Sequence, residues 1–117
     1  VTPDQRRIVA VEAHRRRSGR CPVRVHSLGT GETFEIKPSP DGFLDVATGL
    51  TVRSNGTQVV LPTGAIDLRL IGDVFFEGVA DGERFTGRAG GGSSVTLYDE
   101  NGADYFQYAV VTEGDYT

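Results

Sequence analysis

Residues 11–25 read VEAHRRRSGRCPVRV, and the change of pattern inside this stretch decides how the chain is built. Up to Ser18 the residues suit a helix. From Cys21 the apolar positions alternate as in a half-buried strand, with Cys21, Val23 and Val25 on one face and Pro22, Arg24 and His26 on the other. Gly19 offers the left-handed conformation that stops a helix. Five arginines (Arg15, Arg16, Arg17, Arg20 and Arg24), His14 and the only cysteine crowd into these fifteen residues. Three readings follow: a nucleic-acid grip, a Cys–His site, or a joint between a helix and a strand.

Upstream, Thr2-Pro3-Asp4-Gln5 is a helix start. Thr2 can cap, Pro3 suits the first helical position, and Gln5 completes a T-x-x-Q capping box. Asp4 complements the positive end of the helix dipole and Arg15–Arg17 the negative end. The helix is expected from Pro3 to Ser18. Its apolar content is thin, with Ile8 and Val11 three apart and Val9 and Ala13 four apart. One modest stripe of this kind predicts a helix that leans on a sheet rather than a core helix.

Downstream, Gly29-Thr30-Gly31 turns the chain, and Phe34 and Ile36 alternate with Glu35 and Lys37 as a hairpin partner. The stretch PSPDGFLD (38–45) reads as a loop. Further strands are expected at Leu50–Arg53, Gln58–Leu61, Ile66–Ile71 and Val74–Glu77. Ser94–Tyr98 and Tyr105–Thr112 form the clearest pair, joined by DENGAD (99–104), in which Asn101-Gly102 suits a tight turn. The expected architecture is α+β: an N-terminal helix packed on antiparallel β-sheets of about seven strands. Residues 1–117 read as a single domain, with a helix over 1–19 and a β-rich body over 20–117.

The composition fits a globular chain: 38% of the 117 residues are apolar and 24% charged, and sixteen glycines imply many turns. One cysteine cannot close an internal disulfide, which leaves the redox compartment open. No run of about 18 apolar residues is present to span a membrane. There is no signal peptide and no methionine, not even at position 1, so the chain reads as processed or cut upstream of Val1. Charge is divided unevenly. Residues 1–24 carry seven arginines against Asp4 and Glu12, while the remainder is acidic and brings the total to −4. Such asymmetry marks either a nucleic-acid arm or a basic segment lying on its own acidic body.

Arg15, Arg16, Arg17 and Arg20 are the candidate contacts to nucleic acid or to a protein partner, since clustered guanidinium groups bind phosphate. No aromatic residue is interleaved to stack bases, and the overall acidity opposes a polyanion. The arginines therefore read first as a solvated helix end. Cys21 with His14 or His26 could form a thiolate–imidazolium pair, but its strand position suits a small core residue better. No Cys or His pair has the spacing of a structural zinc site. Asp99, Asn101 and Asp104 place oxygens around a glycine turn, as a calcium loop would, but also as an ordinary hairpin would. The glycines at 90–92 precede a strand, where a phosphate cradle needs a helix. Asn55-Gly56-Thr57 matches a glycosylation sequon. The acidic residues Asp41, Asp45, Asp81, Glu83, Glu113 and Asp115 form no recognisable acid–base pair and read as a polar loop face. No arrangement reads as catalytic, and no cofactor or metal is implied.

The order of features resembles the globular part of type IV pilin-like proteins, specifically the H-type minor pseudopilins and FimT-like pilins. Three stretches carry the resemblance: VAVEAHRRRSGRCPVRV (9–25) with GETFEI after it, VVLPTGAIDLRL (59–70), and the run from Val74 to Tyr116. It implies a hydrophobic stem upstream of Val1, of which 1–19 would be the lower part. It further implies a non-enzymatic filament subunit of a type II secretion or type IV pilus system. Such a subunit would be anchored in the bacterial inner membrane with its globular domain in the periplasm. Its partners would be other pseudopilins and secreted cargo. The other reading is a β-rich module that binds nucleic acid or another ligand through residues 15–24.

Overall fold

In a computed structural model of the chain, residues 1–90 and 92–112 are described. Helix α1 (Pro3–Ser18) comes first, followed by ten strands in one meander: β1 (Pro22–Ser27), β2 (Thr33–Ser39), β3 (Gly42–Asp45), β4 (Leu50–Asn55), β5 (Gln58–Leu61), β6 (Gly64–Ile71), β7 (Phe75–Ala80), β8 (Glu83–Ala89), β9 (Ser94–Asp99) and β10 (Asp104–Thr112). Each strand pairs antiparallel with the next, and β10 returns to pair with β1, with Val25 opposite Val110 and His26 opposite Ala109. An up-and-down meander can close this way only with an even number of strands. The result is a closed barrel, which leaves no sheet edge for unwanted pairing.

The helix runs through the barrel. Its residues 7–14 are all buried, on every side of the helix, and Val9, Ala10, Val11, Glu12 and Ala13 are wholly inaccessible. Its contacts go round the wall: Arg7 reaches Asp45 on β3, Arg16 reaches Ser54, Gln58 and Leu68 on β4, β5 and β6, and Arg6 lies over Phe106 on β10. A helix laid on one face of a sheet could not touch all of these. Eight strands close on an interior just wide enough for side chains, and barrel diameter grows with strand number. Ten strands around a thin Ile-Val-Ala-Val segment make room for a helix.

Local signals at the helix ends hold as expected. The Thr2 side chain accepts from Gln5 N at 3.1 Å while Gln5 Oε1 accepts from Thr2 N at 2.9 Å. Gly19 stops the helix at φ 74°, and its N–H donates to Arg15 O at 2.9 Å. The wall supplies the rest of the core from its inward positions, including Val25, Phe43, Val52, Val59, Leu68, Phe76, Phe85, Leu97 and Val110. Phe76 and Phe85 face each other with ring centroids 6.3 Å apart. Gly87 and Gly78 sit beside them, where a Cβ would collide with the Phe76 and Phe85 rings respectively.

Several expectations are corrected. The pilin-like arrangement, a helix packed on sheets of about seven strands, is replaced by a closed ten-stranded barrel around the helix. The helix expected to lean on a sheet is instead the centre of the core. Residues 38–45 are not a loop: β2 continues to Ser39, and β3 occupies Gly42–Asp45. Strand β8 (Glu83–Ala89) has no counterpart among the expected strands. A bulge between Pro22 and Arg24 breaks the alternation in β1, so Pro22 and Val25 are buried and Val23 is not. The turn at 99–104 places its left-handed residue at Ala103 (φ 51°) rather than at Asn101-Gly102, because Asp99 pairs with Asp104 across a four-residue loop. Among the described residues no helix is long and apolar enough to cross a membrane.

Candidate functional site

Because the strands alternate in direction from β1, the two mouths of the barrel are distinct. The helix enters at the mouth formed by the β1–β2, β3–β4, β7–β8 and β9–β10 turns, where Gln5 Nε2 donates to Asp81 at 2.8 Å. It leaves at the opposite mouth, where Arg17 Nη2 donates to Gly92 O at 3.3 Å.

The exit mouth holds the arginines picked out by the sequence. Arg15 and Arg16 converge on Glu12, a carboxylate with no solvent exposure, at 3.4 and 2.8 Å. Arg16 also donates to Leu68 O at 2.6 Å and Gln58 O at 3.0 Å, so its guanidinium is built into the wall. Arg17 goes to the β8–β9 turn, and Arg20 is exposed past the helix stop. These four residues do not form one open cationic surface. Only Arg20 and parts of Arg15 and Arg17 face outward.

The other candidates also resolve into structure. Cys21 is half-buried with its Sγ toward Pro22 O and Gly42 O, and burial, reinforced by the nearby Glu12 and offset in part by Arg15, pushes its thiol up to about 11. A thiol so placed stays protonated at neutral pH and makes a poor nucleophile. His26 lies on the outside of β1, with Nδ1 2.8 Å from Thr33 Oγ1. In the 99–104 turn, Asp99 Oδ1 accepts from Asn101 N at 3.1 Å, while Oδ2 faces the Val1 amino group at 3.4 Å, which leaves little of this carboxylate for a cation. Among the described residues no group of three or more His, Cys, Asp or Glu side chains is placed to hold a metal. Asp45 is a correction to the polar loop face: it is fully buried. Glu113 and Asp115 lie outside the described residues.

The entry mouth holds a feature that the sequence did not disclose. A cavity of about 620 Å³ opens there between the helix start, the β1–β2 turn and the first residues of β10. Arg6 and Arg7 form its floor, each guanidinium laid on a ring: Arg6 Cζ is 3.7 Å from the Phe106 centroid, and Arg7 Cζ is 4.2 Å from that of Phe34. Such ring contacts restrain both groups while their N–H groups still point to hydrogen-bond partners. Leu28 and Tyr105, 57% and 68% exposed, stand at the rim with the exposed carboxylates Glu32 and Asp104.

The two floor arginines differ in how they are held. Arg7 makes a two-pronged contact with Asp45, Nε to Oδ1 at 3.0 Å and Nη2 to Oδ2 at 2.7 Å, and also meets Asp4 at 2.9 Å. Burial would push the Asp45 carboxyl up, but hydrogen bonds from Arg7 and Thr48 and the Arg7 charge outweigh it and hold the carboxyl below its ordinary value. Arg6 is less committed. It donates Nη1 to Val1 O at 2.7 Å, and its nearest carboxylate oxygen, Asp99 Oδ2, is 3.9 Å away. Its Nε is buried without a hydrogen-bond partner. A guanidinium carries more donors than these contacts use. Two adjacent arginines before an apolar run were the available signal for this floor, but only enclosure of the helix turns them into one.

The fold thus defines a class, a closed up-and-down barrel filled by its own N-terminal helix, with a cavity over two arginines at the mouth where the helix enters. Compared with protein-family models, curated proteins and solved structures, the chain matches none of them.

Proposed function

We propose that this protein is a non-enzymatic binding module that takes a small ligand at the entry mouth of the barrel. The observation that carries the reading is the cavity of about 620 Å³ whose floor is two arginines stacked on phenyl rings. Its volume lies within the range of small-molecule sites, and aromatic walls with a few fixed polar groups are their usual composition. The filament role and its membrane setting were implied by a pilin-like fold, and with the helix enclosed that resemblance no longer supports them. The ligand-binding alternative remains, moved from residues 15–24 to Arg6 and Arg7. Nucleic acid is the poorer ligand, since Arg15 and Arg16 are turned onto Glu12.

The test is a titration of isotopically labelled protein with a library of small fragments spanning anionic, cationic, zwitterionic and neutral members, followed by amide NMR shifts. Hits that shift Leu28, Thr30, Phe106 and Gln107 are expected. Hits confined to the outer face of the barrel, or no hits, would overturn the reading.

A further inference from the structure

The charges that line the entry mouth are sorted by depth. The cationic groups are deep: Arg7 is 3% exposed and the Arg6 side chain 14%. The anionic groups that line the cavity, Glu32 and Asp104, are both exposed at its rim. Between the two levels the walls are apolar, from Phe34 and Phe106 to Leu28. A purely anionic ligand would meet Arg6 favourably but pass two carboxylates, and a purely cationic one would meet the rim favourably but sit over Arg6, whose nearest carboxylate oxygen is 3.9 Å away.

From this layering we infer that the cavity takes a zwitterion whose carboxylate and ammonium stand at opposite ends of an apolar body. The inference rests on the cavity being the binding site. The carboxylate accepts from Arg6, the floor arginine with uncommitted donors, in a charge-assisted bond sheltered from water. Arg7, saturated by Asp45 and Asp4, positions Phe34 instead of gripping the ligand. The apolar body lies along Phe106 and Leu28, and the ammonium ends between Glu32 and Asp104, where solvent still reaches it. Specificity against singly charged analogues comes from both layers, because each analogue places an unmatched charge or an empty charged site at one of them.

The experiment compares three probes of equal ring and near-equal size by calorimetry and amide NMR: para-(aminomethyl)benzoate, para-methylbenzoate and para-methylbenzylamine. The zwitterion is expected to bind about tenfold or more tighter than either singly charged probe, with shifts at Leu28, Phe106 and Gln107. The double variant Glu32→Gln/Asp104→Asn alters only exposed rim groups and should keep its fold. It is expected to bring the zwitterion to within about threefold of para-methylbenzoate, with the latter binding no weaker than before. Equal binding of the zwitterion and para-methylbenzoate in the cavity of the unaltered protein overturns the zwitterion inference and leaves the cavity reading standing. An unchanged preference in the double variant also overturns it. Absence of any cavity shift with all three probes overturns the inference as well, and the fragment library then decides separately whether the cavity binds anything.

Discussion

The two ends of the central helix carry the same kind of device and put it to opposite uses. Each end places a buried carboxylate against arginine inside the barrel: Arg7 with Asp45 at the entry, Glu12 with Arg15 and Arg16 at the exit. At the exit the charge comes from the helix and is answered by the helix, and the surplus donors of Arg16 go to strand carbonyls. At the entry the carboxylate comes from the wall, the arginines lie over rings, and a cavity remains above them. A buried ion pair is a weak source of net stability, but it makes one axial and rotational setting of the helix far better than its neighbours. In this barrel the pairs act as pins, and the open mouth is what remains after pinning.

The largest effect is expected from breaking the ion pairs at the exit end. Arg16→Met removes the main partner of an inaccessible carboxylate and strands two carbonyls, so denaturant unfolding should show a loss of about 3 to 5 kcal/mol. If the loss is under about 1 kcal/mol, Glu12 is not held as described and the two ends do not differ in this way.

A smaller effect is expected at the open end, because Arg7 keeps Asp4 when Asp45 is neutralised. Asp45→Asn should cost about 1 to 3 kcal/mol at neutral pH. It should also change the acid limb. The Asp45 carboxyl lies below its unfolded value of 3.8, so its contribution is complete above that pH and is lost as the pH falls through the lower, folded value. The variant should therefore show a flatter fall of stability below about pH 4 than the unaltered protein. Identical slopes would mean that Asp45 is not charged in the folded barrel.

The smallest perturbation sharpens the seam where the helix hands over to β1. With its thiol near 11 against an ordinary 9.0, Cys21 should react with a disulfide reagent at pH 8 about a hundredfold more slowly than a free thiol, without any change in stability. Fast reaction would show that this corner opens.

Much of the local structure was legible. The capping box at Thr2–Gln5, the stop at Gly19 and most strands follow from residue type and alternation, which depend on neighbours in the chain. Two strands escape the pattern because in each the inward phenylalanine, Phe43 or Phe85, is followed two residues later by a residue that does not look like core. In β3 the inward Asp45 is satisfied by Arg7, 38 residues away, and in β8 Gly87 yields its place to the ring of Phe76. The helix departs from the single-stripe expectation for a related reason. In Ile8-Val9-Ala10-Val11 four successive apolar residues at about 100° each leave no polar face, which is the mark of an enclosed helix.

The candidate site was legible only in part. Arg15, Arg16, Arg17 and Arg20 stood out because they cluster in sequence, yet the fold disperses or buries most of that charge. Arg6 and Arg7 gained their role from Phe34 and Phe106, on strands at the first and last turns of the meander. Residue types alone specify the helix with its caps, the turn-rich β body and the period-two alternation of most strands. These arise from backbone preferences and contacts a few residues apart. Closure of the sheet, enclosure of the helix and the cavity at the entry mouth belong to the whole fold. Those outcomes depend on pairing β1 with β10 and on matching buried charges across the barrel, and no local pattern specifies either.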